Sequence, residues 1–557
     1  MLTQSNSLMR SVRPIVVDRR MKWLQVLCLS LVVAPGLVGT VRVVRQGWAP
    51  RGDFAMTQLR VLDVGTGRTP LLGMPTTVDD AAAAPIHHPG PLQFWLLAAP
   101  FRLASVVTDS PASLVVASAV VSTVILGTSG WLVMRSIERP LHGLAVATFA
   151  SAAILLAGSF VTSSPWNPDL AFVAMLAATS VAAIAMTTRP RMASVLAVVG
   201  LSSAAAQAHL SYAAPAFLLA SCVLVRAFIE TPRDRRRSSF IVIAVTGAVV
   251  WIGPILDVVA NGGGNARRAV TNESPPGSGW PTAIARLANS VTPWELGLIR
   301  PADGMHFARP ASMSTYLWTV LLVAVVIWCV RNSTTLGRVS ILAGAMLAGL
   351  VVSTALAPPT LATAYAAHVQ RAWIVPTLLL WSVPVVAGAQ LVWHMQPRKA
   401  LAVVGAVPLV LSAFAIAVDR DISKNVQPIC SRAVTDMADA ISERVGDQIT
   451  HYDSRAVGAG TFGFGSQVTS GVYAELERRH GGAVFVGHVA TGMMSADRVA
   501  GDPSLVEAPP ASTVVVSEGQ SSLVEQYAFV GNVRGGEDCD DTTVTRSIEF
   551  WSGRSTE

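Results

Sequence analysis

Along most of this chain apolar residues do not alternate with polar ones but run on, broken only by short clusters of arginine, proline and glycine. A helix rises about 1.5 Å per residue, so roughly 20 apolar residues span the ~30 Å of hydrocarbon in a bilayer. Eleven such runs follow one another, at about 23–43, 112–134, 142–161, 169–187, 193–207, 212–229, 240–258, 313–330, 339–357, 373–393 and 401–418. Basic loops fall after every second run: Arg135 and Arg139, Arg189 and Arg191, PRDRRRSS, Arg331 and Arg338, then Arg398 and Lys399. The positive-inside rule puts these loops in the cytoplasm, with residues 1–22 inside and the C-terminus outside. A further apolar stretch from Pro91, PLQFWLLAAPFRLASVV, is cut by Pro100 and Arg102. Counted as a span it would turn every later basic loop outward, so the expected element is an interfacial helix with Trp95 at headgroup depth.

The fold class expected is thus a polytopic α-helical membrane protein with a transmembrane domain over residues 23–418. Composition agrees, because 52% hydrophobic residues, 13% charged residues and a mean hydropathy of +0.50 leave too little polar surface to coat a soluble globule. A cleaved leader is disfavoured: the first apolar run exceeds the ~7–15 residues of a signal core. The net charge of +7 is accounted for by topology and calls for no nucleic-acid partner.

From Asp419 the pattern changes. DMADAISERV and SQVTSGVYAELERRHGG have helical spacing, while GAVFVGH and STVVVSEG are valine-rich runs of strand type, so residues 419–557 are expected to form a small extracytoplasmic α/β domain. Cys28, Cys222 and Cys329 fall in apolar runs, whereas Cys430 and Cys539 lie near the two ends of that domain and are placed to form a disulfide in an oxidising compartment.

Ionisable residues gather in two long outer loops, 44–111 and 259–312, and above all in RGDFAMTQLRVLDVGTGRTP and IHHPGPLQFW of the first. Asp53 and Asp63 are the acids there. A partly desolvated carboxylate at a membrane surface can act as a general base on a hydroxyl; equally, Asp53 could cap the short helix that follows it. His87 and His88 before Pro-Gly-Pro put polar rings on a rigid turn suited to an anionic headgroup or a metal. Before the tenth run stand His368 and Arg371, and an arginine in a short loop can grip phosphate with two N–H groups.

Taken together these stretches resemble the GT-C superfamily of membrane glycosyltransferases, in its protein-mannosyltransferase-like and aminoarabinose-transferase-like branch. GDFAMTQLRVLDVGT is similar to that family's acidic first-loop motif and HHPGPLQFWLLAAPFRL to the motif that opens its juxtamembrane helix. SPWNPDL and QAHLSY look like outer turns of actinobacterial members. The resemblance implies transfer of a sugar from a polyprenyl-phosphate donor to an envelope glycan, glycolipid or protein acceptor at the outer face of a bacterial plasma membrane. It implies Asp53, or Asp63, as base, with His87, His88, His368 and Arg371 holding the donor phosphate. Arg60, Trp95, Asn167, Gln207 and His209 would contact substrate. Phe54 stands where the family's second acid would be, which favours Asp53 as a single base and leaves a divalent metal open as cofactor. Much Ala, Val and Arg with little Lys fits a GC-rich genome and, by analogy, a decaprenyl carrier.

Three rival readings remain. A lipid-linked glycan flippase would carry ionisable residues in mid-span, whereas the charges here gather at one surface. An envelope scaffold would use Asp53 only as a cap, and a polymerase or ligase of lipid-linked glycans would rely on arginines more than on a loop aspartate.

Overall fold

The computed structural model describes residues 19–76, 86–108, 110–136, 140–271, 277–293, 310–357, 366–395, 397–418, 428–445, 451–456, 464–480, 484–486, 513–517, 527–535 and 546–553. The apolar runs are helices. In chain order these are α1 (Arg19–Arg45), the short α2 (Asp53–Asp63), α3 (Leu92–Thr108), α4 (Ser113–Ser136), α5 (Pro140–Ala157), α6 (Asn167–Thr187), α7 (Met192–Ala208), α8 (Ala213–Glu230), α9 (Arg233–Val250) and α10 (Ile252–Asn261). Then come α11 (Gly264–Thr271), α12 (Gly279–Ser290), α13 (Met313–Asn332), α14 (Thr334–Leu356), α15 (Ala366–Met395) and α16 (Pro397–Val418).

Six helices among the described residues are long and apolar enough to cross a membrane, or seven if α9 and α10 are one span bent by 61°. The chain is a multi-pass membrane protein. Shorter apolar helices, Leu92–Thr108, Ala145–Ala157, Met192–Ala208 and Ala406–Ala417, pack among them. At the centre stands α6, buried along nearly its whole length and touching α4, α7, α8, α14 and α15. Its alanines explain the position: Ala171, Ala174, Ala178, Ala182 and Ala185 let neighbouring backbones approach closely, which is how helices associate where lipid is as apolar as the side chains. At the other extreme α9 has no buried residue, and α13 leaves Val320 and Trp328 exposed, as faces that lipid would cover.

Helix starts differ most from the hydropathy reading at two points. The basic run PRDRRRSS forms the opening turns of α9 rather than a loop, and α15 begins at Ala366, so Arg371 sits inside a helix rather than before one. In both cases residues of good helix propensity, arginine in one and alanine in the other, extend the helix beyond its apolar part.

After α16 come α17 (Pro428–Val445), β1 (His451–Ala456), α18 (Phe464–Arg479), β2 (Val484–Val486), β3 (Thr513–Ser517), β4 (Tyr527–Gly535) and β5 (Arg546–Gly553). The strands form one sheet in the order β2-β1-β3-β5-β4, with β1 parallel to β2 and β3, and β5 antiparallel to β3 and β4. Helices α17 and α18 do not stand apart from the membrane part. Val434, Ile441, Val472 and Tyr473 share one apolar core with Trp48, Met56 and Leu59 at α2 and Phe94 and Phe101 of α3. Cys430 is buried and disulfide-bonded; Cys539, its expected partner, lies outside the described residues. Cys222 and Cys329 are free thiols within the helical bundle.

Candidate active site at one end of the bundle

Helix α2 begins at Gly52, which occupies the N-cap with φ 48° and supplies no side-chain cap. Asp53 is therefore the first helical residue rather than the cap, and its carboxylate is turned to another element. Trp166 Nε1 donates to Asp53 Oδ2 at 3.0 Å. Burial raises the Asp53 pKa above the ordinary carboxylate value, and the indole hydrogen bond works against that rise.

Trp166 precedes α6, where Pro168 at the first turn suits a helix start, and it joins Asp53 to a second charged group. The Arg371 guanidinium lies over the Trp166 ring, 5.7 Å from its centroid. Arg371 also donates from Nη1 to Asp169 Oδ1 in the first turn of α6. A buried carboxylate at the mouth of an apolar helix is costly unless paired, and Arg371 is the pair. Within reach of both charges is Tyr212, fully buried, whose hydroxyl has no hydrogen-bond partner among the described residues.

On the other side of Tyr212 lie two histidines whose rings meet at a tilt of 36°. His88 and His209 have ring centroids 4.6 Å apart, and His209 meets Tyr212 edge-on at 6.2 Å. The Leu210 N–H donates to His88 Nδ1 at 3.2 Å, and the Ser211 N–H to His209 Nδ1 at 3.3 Å. With Nδ1 accepting in both rings, a neutral imidazole carries its proton on Nε2. Burial keeps them neutral: it lowers His209 to about 4, and with the charges of His209 and His87 it pushes His88 well below the usual histidine range.

The His87-His88 turn is fixed from three sides. His87 pairs with Pro75 in an antiparallel bridge, and His88 N–H donates to Met74 O at 2.8 Å. From α11, Asn265 takes the His87 N–H on Oδ1 at 2.8 Å and returns Nδ2 to His87 O at 3.1 Å. From the end of α7, Gln207 lies so close to Gly90 that an added Cβ would fall 2.1 Å from its Oε1. A larger residue there would have to displace the Gln207 side chain.

The other residues singled out in the sequence lie as follows. Asn167 is buried at the start of α6 and donates to Ala208 O at 3.1 Å, linking the Trp166 turn to the histidine turn. Gln207 donates to Val250 O at 2.9 Å. Trp95 donates from Nε1 to Pro70 O at 3.1 Å, against α10. Arg60 is buried on α2. His368 lies in α15 one turn before Arg371, and its side chain is outside the described set. Asp63 ends α2, fully buried and bound to Arg68 Nε at 2.9 Å. Ten residues of helix put it about 15 Å from Asp53. The two carboxylates do not share a site. Among the described residues no three His, Cys, Asp or Glu side chains converge as a metal-holding group, so no step is built on a metal.

Three members of the constellation were not singled out from the sequence: Trp166, Asp169 and Tyr212. Asp169 did carry a signal, being an acid at the start of an otherwise apolar span; the orphaned tyrosine hydroxyl carried none.

No family model matches the chain, and no curated protein does. Among solved structures it is similar to ArnT from Cupriavidus metallidurans bound to undecaprenyl phosphate, with a TM-score of 0.54 and 12% identity over 95% of this chain and 98% of that one. The apo state of the same ArnT gives a TM-score of 0.54 and 13% identity over 96% of this chain and 98% of that one. A likeness over nearly the full length of both chains at so low an identity speaks to architecture: this multi-pass chain has an ArnT-like fold.

Proposed function

We propose that this protein is a glycosyltransferase that moves a sugar from a polyprenyl-phosphate donor to a hydroxyl of an envelope acceptor. It would do so at the outer face of the bacterial plasma membrane, with eleven crossings and the C-terminal domain outside. The observation that carries this reading is the junction at Trp166, where a carboxylate of raised pKa and a guanidinium meet on one indole. Sugar transfer from a phosphate carrier needs those two functions close together. A base must take the acceptor proton, and cations or N–H donors must stabilise the phosphate as it leaves.

Asp53 is the base: its Oδ1 is left for the acceptor while Trp166 holds Oδ2. Arg371 receives the departing phosphate, helped by the Tyr212 hydroxyl and by the Nε2–H groups of His88 and His209. Neutral histidines suit this role, since they donate hydrogen bonds without having to be charged in a buried site. Attack by the activated hydroxyl on the anomeric carbon forms the glycosidic C–O bond while the bond to the phosphate oxygen breaks. The acceptor proton ends on Asp53 and the electron pair on the phosphate. The lipid chain would run down the apolar faces of the bundle, as the undecaprenyl phosphate held by the similar ArnT suggests. Asp63, paired with Arg68, has a structural part instead.

The test is transfer of radiolabelled sugar from a panel of polyprenyl-phosphate sugars into envelope glycolipid, by membranes holding the wild type or Asp53→Asn at equal amounts. Transfer of one sugar by the wild type and loss of at least about a thousandfold in the variant is the expected result. An equally active variant refutes Asp53 as base, and no transfer from any donor by either protein refutes the enzyme.

A further inference from the structure

The C-terminal helices reach directly into the start of α2. The Gly52 N–H donates to Ser470 Oγ of α18 at 2.9 Å, across 418 positions of sequence. One residue on, Gly471 lies against the same turn: a Cβ there would fall 2.5 Å from Pro50 O and 2.6 Å from Val434 Cγ2. One helical turn further, Gln58 Nε2 donates to Ala474 O at 3.0 Å. At the far end of α2, Arg68 joins Asp63 to Glu477, with Nη2 3.6 Å from Glu477 Oε1. From α17, Ser431 Oγ accepts from Arg51 Nη1 at 3.4 Å.

Gly52 is the hinge of this arrangement. Its φ of 48° is open to glycine at little cost, and no side chain of its own fixes where α2 begins. The carbonyls of Arg51 and Gly52 accept from the first turn of α2 itself, and the Gly52 N–H is held from outside the helix by Ser470 Oγ; the next residue is Asp53. A rotation of that peptide would swing the carboxylate away from Trp166. We propose that Ser470 is a positioning residue for Asp53, and that seating this aspartate is what the C-terminal helices contribute to the reaction. This rests on Asp53 being the base.

The test uses the full-length chain, with Ser470→Ala, which removes the acceptor oxygen, and Ser470→Thr, which keeps it. Displacement of a reacting group by about 1 Å costs up to about a hundredfold, and a loosened rather than lost contact less. Ser470→Ala is expected to lower kcat about tenfold with donor KM within about twofold, and Ser470→Thr to restore most of it. Unchanged kcat in Ser470→Ala overturns the proposal, and so does a loss that Ser470→Thr fails to rescue. A second measurement does not depend on catalysis. The thiol introduced by Asp53→Cys is labelled with a charged maleimide, with and without Ser470→Ala, over the rate of the parent chain. A rate at least about threefold different supports positioning by Ser470; equal rates refute it even if Asp53 proves not to be the base.

Discussion

Replacing Trp166 by Phe would remove the Nε1 hydrogen together with one ring of the indole, leaving a smaller aromatic face beneath Arg371. In the structure that hydrogen is donated to Asp53 Oδ2 at 3.0 Å, and among the described residues the carboxylate has no other donor. A hydrogen bond to a charged group is worth about 1.5–3 kcal/mol, and about 1.4 kcal/mol corresponds to one pKa unit. Because Asp53 is only half-buried by surface area, the low end of that energy applies, and losing the bond should raise its pKa further. A general base acts only when deprotonated. The acid limb of kcat/KM should therefore move upward in pH, with activity about tenfold lower below the limb and unchanged on the plateau. A radiolabel transfer profile from about pH 5 to pH 9 reads this directly. A limb that stays in place while the plateau drops would refute the reasoning, since it would show that Trp166 acts on substrate rather than on the base.

Arg371→Met strands the Asp169 carboxylate, which is buried to 3% exposure, and should cost about 3–5 kcal/mol of stability. Adding Asp169→Asn should recover most of the loss in thermal unfolding but none of the transfer. Asp53→Asn should stabilise the fold at high pH. Because burial raises the folded-state pKa above the unfolded one, the penalty on the charged form is absent below about pH 4, grows as pH rises through the folded pKa and then levels off. The Tm gain over wild type should thus be near zero at about pH 4 and clear at about pH 8. His209 has the opposite sign. Its folded pKa of about 4 lies below the unfolded value, so its neutral form contributes stability above about pH 6.5 that is lost as pH falls towards 4, and His209→Gln should flatten that part of the Tm curve. Gly253→Ala would put a methyl 2.6 Å from Pro91 Cγ and 3.1 Å from Trp95 Cη2. It should cost about 1–3 kcal/mol and lower transfer by shifting the start of α3, as measured by kcat at matched folded protein.

The helical character of the apolar runs was legible because hydrocarbon imposes a length and a composition that few other contexts allow, although among the described residues six or seven helices are long enough to span and the run at 240–258 is two helices. Arg371 was legible as an oddity, an arginine in a short loop before an apolar run, though the helix it lies in was not. Nor was its partner. Asp169 is remote in sequence, and nothing in SPWNPDL says which helix will lie beside it. The same holds for the Asp53 to Trp166 bond: local spacing suggested a cap at Asp53, whereas the N-cap is Gly52 and the indole lies 113 positions away in sequence. The break at Trp251 was legible in Gly253-Pro254 just after it: Pro254 has no N–H to give to Val250 O, which accepts from Gln207 Nε2 at 2.9 Å instead, and Trp251 Nε1 donates to Ser203 Oγ at 3.0 Å.

The bond between Gly52 and Ser470 also sets an order in time. At roughly 5–20 residues per second of synthesis, the 418 positions between them take roughly 20–80 s to make. Through that interval α2 stands at the membrane surface with Met56 and Leu59 lacking the share of their cover that Val472 and Tyr473 provide. The nascent chain thus has its bundle well before it has a seated aspartate. A product truncated between α16 and α18 would keep the helices of the bundle and lack the Ser470 contact to Gly52, and on the proposed reading it would be inactive.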